Sequence, residues 1–200
     1  MAYRKTEKVL ANLEARRNSI LASAIDVIAK SGMEGLTTDA VAERAGIAAG
    51  LTYSYFADKD ELIAAVIAHL LARDVAAMKG AAGIEKDPLQ ALAAAMAVFF
   101  GRMDNAHLVR AMAGAPVYQL GIRGELERLI RAADLDLAPK ARTLAAAGAV
   151  AALYGFFGVS VTSKNSAPAA LLFVLRGIGV SDSMARKVVA RMYGQAMVPA

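Results

Sequence analysis

The chain has 200 residues and is 57% hydrophobic but only 20% charged, so it can bury a substantial core and is not a disordered polypeptide. It contains no cysteine, which excludes disulfide frameworks, thiolate metal sites and cysteine nucleophiles. The net charge is +5, yet residues 1–60 hold eight basic and eight acidic side chains, so the excess lies in residues 61–200. Bulk charge therefore does not identify a nucleic-acid-binding half.

The alanine-rich composition and the helical spacing of apolar residues predict an all-α protein with about nine to ten helices. The first helix is expected over about 8–30. Thr38 is the expected N-cap of a short second helix over 39–45, and a third helix is expected over 49–56. Asp58, followed three residues later by a glutamate, forms a capping-box pattern that opens a fourth helix.

Glycine and proline residues divide the remainder of the chain. The fourth helix is expected to break at 80–83, where two glycines occur. Further helices are expected over 88–103, 105–113, 117–133 (with an interruption near 121–124 left open), 139–163, 168–176 and 182–197. No segment alternates like a strand, and no internal repeat is found.

The segment from Thr37 to Leu62 has the pattern of a helix-turn-helix, in which two short helices cross around a tight turn. Ala42 supplies the small residue that lets the two helices touch, and Gly46 supplies a position that tolerates positive φ. The second helix of such a motif enters the major groove of DNA with its N-terminal residues toward the bases. This segment therefore predicts DNA binding.

The same segment resembles the signature of the TetR/AcrR repressor family. The matching positions are Thr37, Thr38, Ala42, Gly46, Gly50, Tyr53, Tyr55, Phe56, Lys59 and Leu62. The resemblance extends over the first helix, whereas beyond about residue 75 only the length and helical architecture agree. It implies an N-terminal three-helix DNA-binding domain over 1–60 and a C-terminal helical-bundle domain for effector binding and dimerisation over 61–200.

The resemblance implies a set of DNA-contacting residues: Thr37, Thr38, Ala48, Ala49, Gly50, Thr52, Tyr53, Ser54, Tyr55 and Lys59. Hydroxyls, a helix N-terminus and the lysine would contact phosphates, while Gly50 would let the backbone approach closely. Alanine at 48 and 49 replaces residues that are often polar in the family, and Thr52 stands where an apolar core residue is usual. Direct base readout is therefore expected to be sparse. Arg4, Lys5 and Lys8 form either a basic arm or a disordered tail.

The resemblance also implies a small-molecule effector that releases the protein from its operator. The candidate lining residues are mostly aromatic or methionine and suggest an apolar or aromatic effector: Met96, Phe99, Phe100, Met103, His107, Met112, Tyr118 and Tyr154. Such a stripe is more often solid core than a cavity wall. The other histidine of the chain, His69, is expected to be a partly buried helix residue.

A homodimer is the third implication. Small residues recur along the helix after Pro139, and we expect Gly148, Ala151, Ala152, Gly155 and Gly158 to lie at the two-fold axis. Close backbone approach is the physical reason, and the last helix, which follows Ser181, is the expected second component of the interface.

Three alternatives remain at this point. The uncharged stretch 143–163 is long enough to span a membrane, but its many small residues favour helix packing in a cytoplasmic protein. A family member that regulates without a ligand is the second alternative. An enzyme ranks last, because no metal-ligand spacing, phosphate loop or nucleophile–base pair is visible, and no metal or cofactor is expected.

Overall fold

A computed structural model describes residues 7–101, 105–135, 137–158 and 166–195, and the side chains within these ranges except those of 99–101, 156–158 and 166. The described ranges contain ten helices and no strand, so the predicted all-α class is confirmed. The helices are α1 (Glu7–Ser31), α2 (Thr38–Ala45), α3 (Ala49–Thr52), α4 (Lys59–Ile84), α5 (Pro88–Gly101), α6 (Ala106–Ala113), α7 (Pro116–Ala132), α8 (Pro139–Gly158), α9 (Ser166–Gly177) and α10 (Asp182–Tyr193).

The third helix is shorter than the sequence predicts. It ends at Thr52 rather than near Phe56, and the chain continues through turns in which Tyr55 N–H donates to the Thr52 carbonyl at 3.0 Å. Phe56 is 1% exposed, and Arg17 lies over its ring with the guanidinium carbon 4.9 Å from the centroid. The chain leaves the helical path because Phe56 must turn into the core.

Glycines inside two helices do not break them, contrary to the predicted break at 80–83 and the interruption considered near 121–124. Helix α4 runs continuously to Ile84, and α7 runs continuously from Pro116 to Ala132. None of these glycines has a positive φ. A glycine within a helix lowers helix stability by about 1 kcal/mol relative to alanine. The burial of neighbouring side chains such as Met78 outweighs this loss.

The last two helices also differ at their ends from the prediction. Helix α9 begins at Ser166, so Pro168 lies in its first turn, where its missing N–H removes no helical hydrogen bond. Helix α10 stops at Tyr193 because Gly194 adopts a φ of 89°. The predicted ends of the fifth and eighth helices, at 103 and 163, lie outside the described residues.

The chain divides into two compact units, Met1–Leu70 and Leu71–Ala200, and the division falls inside α4. The sequence predicted a boundary at residue 60. The start of α4 belongs with the first unit because its stripe of Leu62, Val66 and Leu70 is fully buried. The assignment of DNA binding to one unit and regulation to the other stays a prediction.

The first unit is built on α1, which packs against α2. The N-cap of α2 is Thr37, whose Oγ1 accepts a hydrogen bond from Ala40 N–H at 3.1 Å, so the prediction that Thr38 caps this helix was wrong. Asp26 and Arg44 form an ion pair between α1 and α2. At the start of α4, Glu61 N–H donates to Asp58 at 2.7 Å, as the predicted capping box requires, and the Glu61 carboxylate accepts from Ala57 N–H at 2.6 Å, one residue before the N–H that a capping box uses.

In the second unit, α7 packs against α8 and α5, and α9 packs against α8 and α10. Its fully buried side chains come from all five of these helices and include Leu92, Met96, Tyr118, Ile122, Leu153, Leu171, Leu175 and Val189. Among the described residues, no helix is long and apolar enough to cross a membrane.

Candidate functional site

The helix-turn-helix forms as the sequence predicts around Gly46. This residue has a φ of 66° and ends α2, and the next N–H, that of Ile47, donates to the Ala42 carbonyl at 3.0 Å. Val41 and Ala42 are buried where the short helices meet. A side chain at position 46 would be strained by this left-handed backbone conformation, which explains the glycine.

The start of α3 presents to solvent a surface without large side chains, which we call the smooth surface. Ala48, Ala49 and Gly50 are all exposed, and a Cβ added at Gly50 would meet nothing within 4 Å. The surface therefore lacks any polar side chain able to bond with bases at these three positions. It allows another molecule to approach the helix backbone closely.

Hydroxyl groups border this smooth surface. The Oγ1 of Thr38 and the hydroxyl oxygen of Tyr53 lie 3.0 Å apart and share a hydrogen bond. Tyr53 is 55% exposed, Ser54 is exposed and Tyr55 is half-buried. The structure thus brings Thr38, at the start of α2, next to the residues that follow α3, although fifteen positions separate Thr38 from Tyr53.

Thr52 is a correction to the predicted contact set. Its side chain is fully buried, and its Oγ1 has no hydrogen-bond partner among the described residues. A hydroxyl that is enclosed by the core of the first unit is not presented to a ligand on the surface. The sequence carried the relevant signal, because this position is usually apolar in the family that the segment resembles.

Basic side chains near the motif are few. Lys59 is exposed at the start of α4, beside Asp58 and Asp60. Arg44 is held by Asp26. Lys8 is exposed in the first turn of α1, whereas Arg4 and Lys5 of the predicted arm lie outside the described residues. Attraction of an anionic polymer to this surface would depend on hydroxyls, helix N-termini and a small number of cations.

The residues predicted to line an effector cavity divide into three groups. Met96, Met112 and Tyr118 are buried, and Tyr154 is half-buried, so these four lie in or against the core of the second unit. His107 is exposed on α6, and its assignment to a cavity wall stays a prediction, whereas His69 is exposed rather than partly buried as expected. Met103 and the side chains of Phe99 and Phe100 lie outside what the structure describes.

A buried polar cluster joins three helices of this core. The Tyr118 hydroxyl on α7 donates to Asp74 Oδ2 on α4 at 2.6 Å, and Arg73 Nε donates to Asp74 Oδ1 at 2.9 Å. The ring of Tyr154 on α8 meets Tyr118 edge-on at a centroid distance of 6.4 Å. Burial, which is the main cause, raises the pKa of both tyrosines above the ordinary value, so both stay protonated at neutral pH.

Sequence reasoning missed Asp74. It lies four residues after Leu70 and four before Met78, so it continues the buried stripe of α4. A carboxylate within an apolar stripe was the signal that pointed to it. Within the described residues, no group of three side chains has the arrangement of a metal site.

The small-residue face of α8 is open to solvent. Gly148, Ala151 and Gly155 are exposed and Ala152 is half-buried, while the surroundings of Gly158 are not described. An apolar groove of about 520 Å³ runs beside this face between α8 and α9, and Leu144 and Phe173 on its rim are 73% and 61% exposed.

The apolar surface beside α8 continues onto α9. The exposed side of α10 instead carries Lys187 and Arg191 together with Met184. The expected pairing of α8 with the last helix therefore has less physical support than a pairing of α8 with α9, because desolvating charged side chains opposes burial.

Comparison with known proteins places these features in a family. The sequence profile described as bacterial regulatory proteins, tetR family, matches residues 20–66. The HTH-type transcriptional regulator BetI of Burkholderia cenocepacia (strain HI2424) is 36% identical over 89 residues, which are 44% of this chain and 45% of that protein. The match thus spans less than half the length of this curated relative.

Two solved structures share the fold across both units. RolR in complex with resorcinol matches with a TM-score of 0.64 and 18% identity, over 91% of this chain and 96% of that chain. A transcriptional regulator from Rhodococcus sp. RHA1 matches with a TM-score of 0.62 and 25% identity, over 86% of this chain and 96% of that chain. Residues 20–66, which hold the helix-turn-helix, thus match the tetR family of bacterial regulatory proteins, and the whole chain shares the fold of the two solved structures.

Proposed function

We propose that this protein is a DNA-binding transcriptional regulator, a repressor that a small effector releases from its operator in the cytoplasm. The observation that carries the proposal is the surface around α3, where an exposed Ala48–Gly50 edge is bordered by the hydrogen-bonded hydroxyls of Thr38 and Tyr53. A face without bulky side chains fits close against the edges of bases, and the hydroxyls beside it fit against phosphates.

In this proposal, α3 enters the major groove with Ala48 and Ala49 toward the bases, where methyl groups meet thymine methyls. The free N–H groups at the start of α2 and the hydroxyls of Thr38 and Tyr53 bind phosphate oxygens. Lys59 supplies a flanking charge. Thr37 contributes through its backbone and by capping α2, since its hydroxyl is already engaged with Ala40 N–H. Affinity then depends chiefly on the DNA backbone, and sequence preference arises largely from DNA shape.

The test is binding to duplex DNA that the protein itself enriches from a random pool, followed by anisotropy measurements from about 50 to about 200 mM salt. Lys59→Ala is expected to reduce the salt slope by about 1, because one phosphate contact is lost. Tyr53→Phe is expected to weaken binding about fivefold on all sequences, the equivalent of one neutral hydrogen bond.

The matched control is Lys79→Ala, because Lys79 is exposed on the same helix as Lys59 but twenty residues further along. Its salt slope should equal that of the unmodified protein. Failure of the protein to enrich any duplex at the lowest salt would contradict the proposal, and so would an equal loss of slope in both lysine variants.

A homodimer through α8 and α9 completes the proposal. The open face at Gly148, Ala151 and Gly155 allows two copies of α8 to approach closely, and Phe173 and Leu144 supply apolar area beside it. Two copies related by a two-fold axis would read a two-fold-related operator.

The effector is proposed to bind within the second unit and to be apolar or aromatic. RolR, which shares this fold, has been solved in complex with its ligand resorcinol, an aromatic diol. To act, an effector must prefer a conformation that the operator disfavours. A regulator that works without a ligand remains the competing version, and a melting temperature that rises with the concentration of a compound would exclude it.

A further inference from the structure

The carboxylate of Asp74 lies in the core of the second unit and is 3% exposed. Leu70 and Met78, one helical turn away on either side, are fully buried. An ionised carboxylate in such surroundings is strongly unfavourable unless charge or hydrogen bonds compensate it. A leucine at this position would extend the stripe of α4 without that penalty, so the carboxylate calls for a role other than packing.

Two of the groups that compensate this charge, Arg73 and Tyr118, differ in how freely their side chains can move. Arg73 is adjacent in the chain, and its side chain, 38% exposed, approaches Asp74 from the solvent side. The Tyr118 hydroxyl is the donor on the interior side, at 2.6 Å from Oδ2. The Tyr118 pKa is raised by burial, so this phenol keeps its proton and acts as a hydrogen-bond donor.

A groove that is open to the surface borders this cluster at Tyr154. It has a volume of about 370 Å³, lies between α7 and α8, and is lined by apolar residues such as Pro116, Leu120 and Val150 together with the polar Gln119 and Arg123. Tyr154 forms part of its wall, and the ring of Tyr154 touches Tyr118 edge-on. Contacts through Tyr154 and Tyr118 thus link a space of the size that small-molecule sites require to the carboxylate of Asp74.

Building on the proposed function, we propose that the effector is a neutral molecule with a hydroxyl group, which takes the place of Tyr118 as the interior hydrogen-bond donor to Asp74. The exchange keeps the number of hydrogen bonds to the carboxylate unchanged. An anionic ligand would place a second negative charge beside Asp74, and a ligand without a donor would leave the carboxylate undersatisfied. Losing the bond from Tyr118 would also loosen α7 from α4.

The experiment uses the whole protein and four probe compounds of similar size, namely resorcinol, benzyl alcohol, benzoate and toluene. Melting temperature and calorimetric affinity are measured for each probe. We expect resorcinol and benzyl alcohol to raise the melting temperature with concentration, and benzoate and toluene to have no such effect.

Two variants should respond in opposite directions. Asp74→Asn should weaken binding of the hydroxyl probes about tenfold or more, because a bond to a charged acceptor is lost. Tyr118→Phe should strengthen their binding several-fold, because the internal donor no longer competes for Asp74, and the probes should restore the melting temperature that this variant loses. Tyr193→Phe on α10 removes a phenolic hydroxyl from a half-buried tyrosine elsewhere and should leave both affinities unchanged.

Three results would overturn the proposal: no response to either hydroxyl probe, binding of benzoate as tight as that of benzyl alcohol, or equal weakening by Tyr118→Phe and Asp74→Asn. If Asp74→Asn fails to fold, the direction in which Tyr118→Phe changes the affinity for the hydroxyl probes still tests the proposal. DNA binding without probes is measured on the same preparations, so that a failure of the proposed function is distinguished from a failure of this ligand assignment.

Discussion

Thr52 places a hydroxyl group in the apolar interior of the first unit. Its side chain is fully buried and its Oγ1 has no hydrogen-bond partner among the described residues. A buried hydroxyl that lacks a partner costs about 1–3 kcal/mol of desolvation. Thr52 is therefore a weak point in the packing that holds α3 in place.

We predict that Thr52→Val raises the free energy of unfolding of the first unit by about 1 kcal/mol, because valine has the same shape without the polar atom. Thr37→Val is the matched control, since it deletes the hydroxyl that caps α2 and should lower stability by about 1 kcal/mol. Urea unfolding followed by circular dichroism measures both. A loss of stability in Thr52→Val would mean that Oγ1 has a stabilising partner.

The Asp74 cluster also acts at the scale of single residues. One carboxylate and two tyrosines on three helices replace what would otherwise be aliphatic packing. Buried polar groups of this kind specify one arrangement of their helices, because every alternative arrangement leaves a donor or acceptor unpaired. The same property makes the cluster sensitive to a competing donor.

At the scale of elements, α4 and α7 approach each other closely at Gly121. A Cβ placed on Gly121 would lie 2.6 Å from Leu71 Cδ1, whereas a Cβ on Gly124, one turn along α7, would meet nothing within 4 Å. The glycine at 121 serves this contact and does not mark a break in the helix.

We expect Gly124→Ala to raise the free energy of unfolding by about 0.5–1 kcal/mol through helix propensity alone. The free energy of unfolding of Gly121→Ala should be lower than that of Gly124→Ala by about 1 kcal/mol or more, because the Leu71 side chain must move away from the new methyl group. Thermal or urea denaturation measures the pair of variants. Adding Leu71→Ala to each background should remove the difference, and a difference that persists would show that Leu71 is not its cause.

At the scale of the whole molecule, an exposed apolar face on the second unit is unusual for a monomer. Leu144 and Phe173 are 73% and 61% exposed along one groove between α8 and α9. Contiguous apolar surface of this kind is typical of an interface between proteins. The glycines and alanines of α8 beside it allow two helix backbones to come close.

We predict that Leu144→Glu and Phe173→Glu each convert a dimer to monomers at micromolar concentration, because each buries a charge at the two-fold interface. Ile84→Glu is the control, since Ile84 is 81% exposed but lies at the end of α4. Analytical ultracentrifugation measures the mass. An unmodified protein that sediments as a monomer, or a control that dissociates equally, would contradict the prediction.

The helix-turn-helix could be predicted from the sequence because the residues that determine it lie close together in the chain. The Ala42–Gly46 spacing, the capping pair Asp58 and Glu61, and the left-handed glycine are each explained by the few residues around them. The sequence predictions were wrong where a contact between residues far apart in the chain decides the local structure or the burial of a side chain. Thr52 was counted as a surface residue and the glycines of α4 as a break, while an interruption at the glycines of α7 was left open, because burial depends on what packs against a residue.

Local sequence patterns alone were sufficient to predict the all-α class and the position of the helix-turn-helix, and they show directly that positions 48–50 carry no polar side chain. These properties follow from composition, periodicity and short-range spacing. Only the tertiary structure paired Thr38 with Tyr53, joined Asp74 to Tyr118, exposed His107 and extended the apolar face of α8 onto α9. Each of these depends on residues far apart in the chain, and their meeting is set by how the helices pack, which no local pattern encodes.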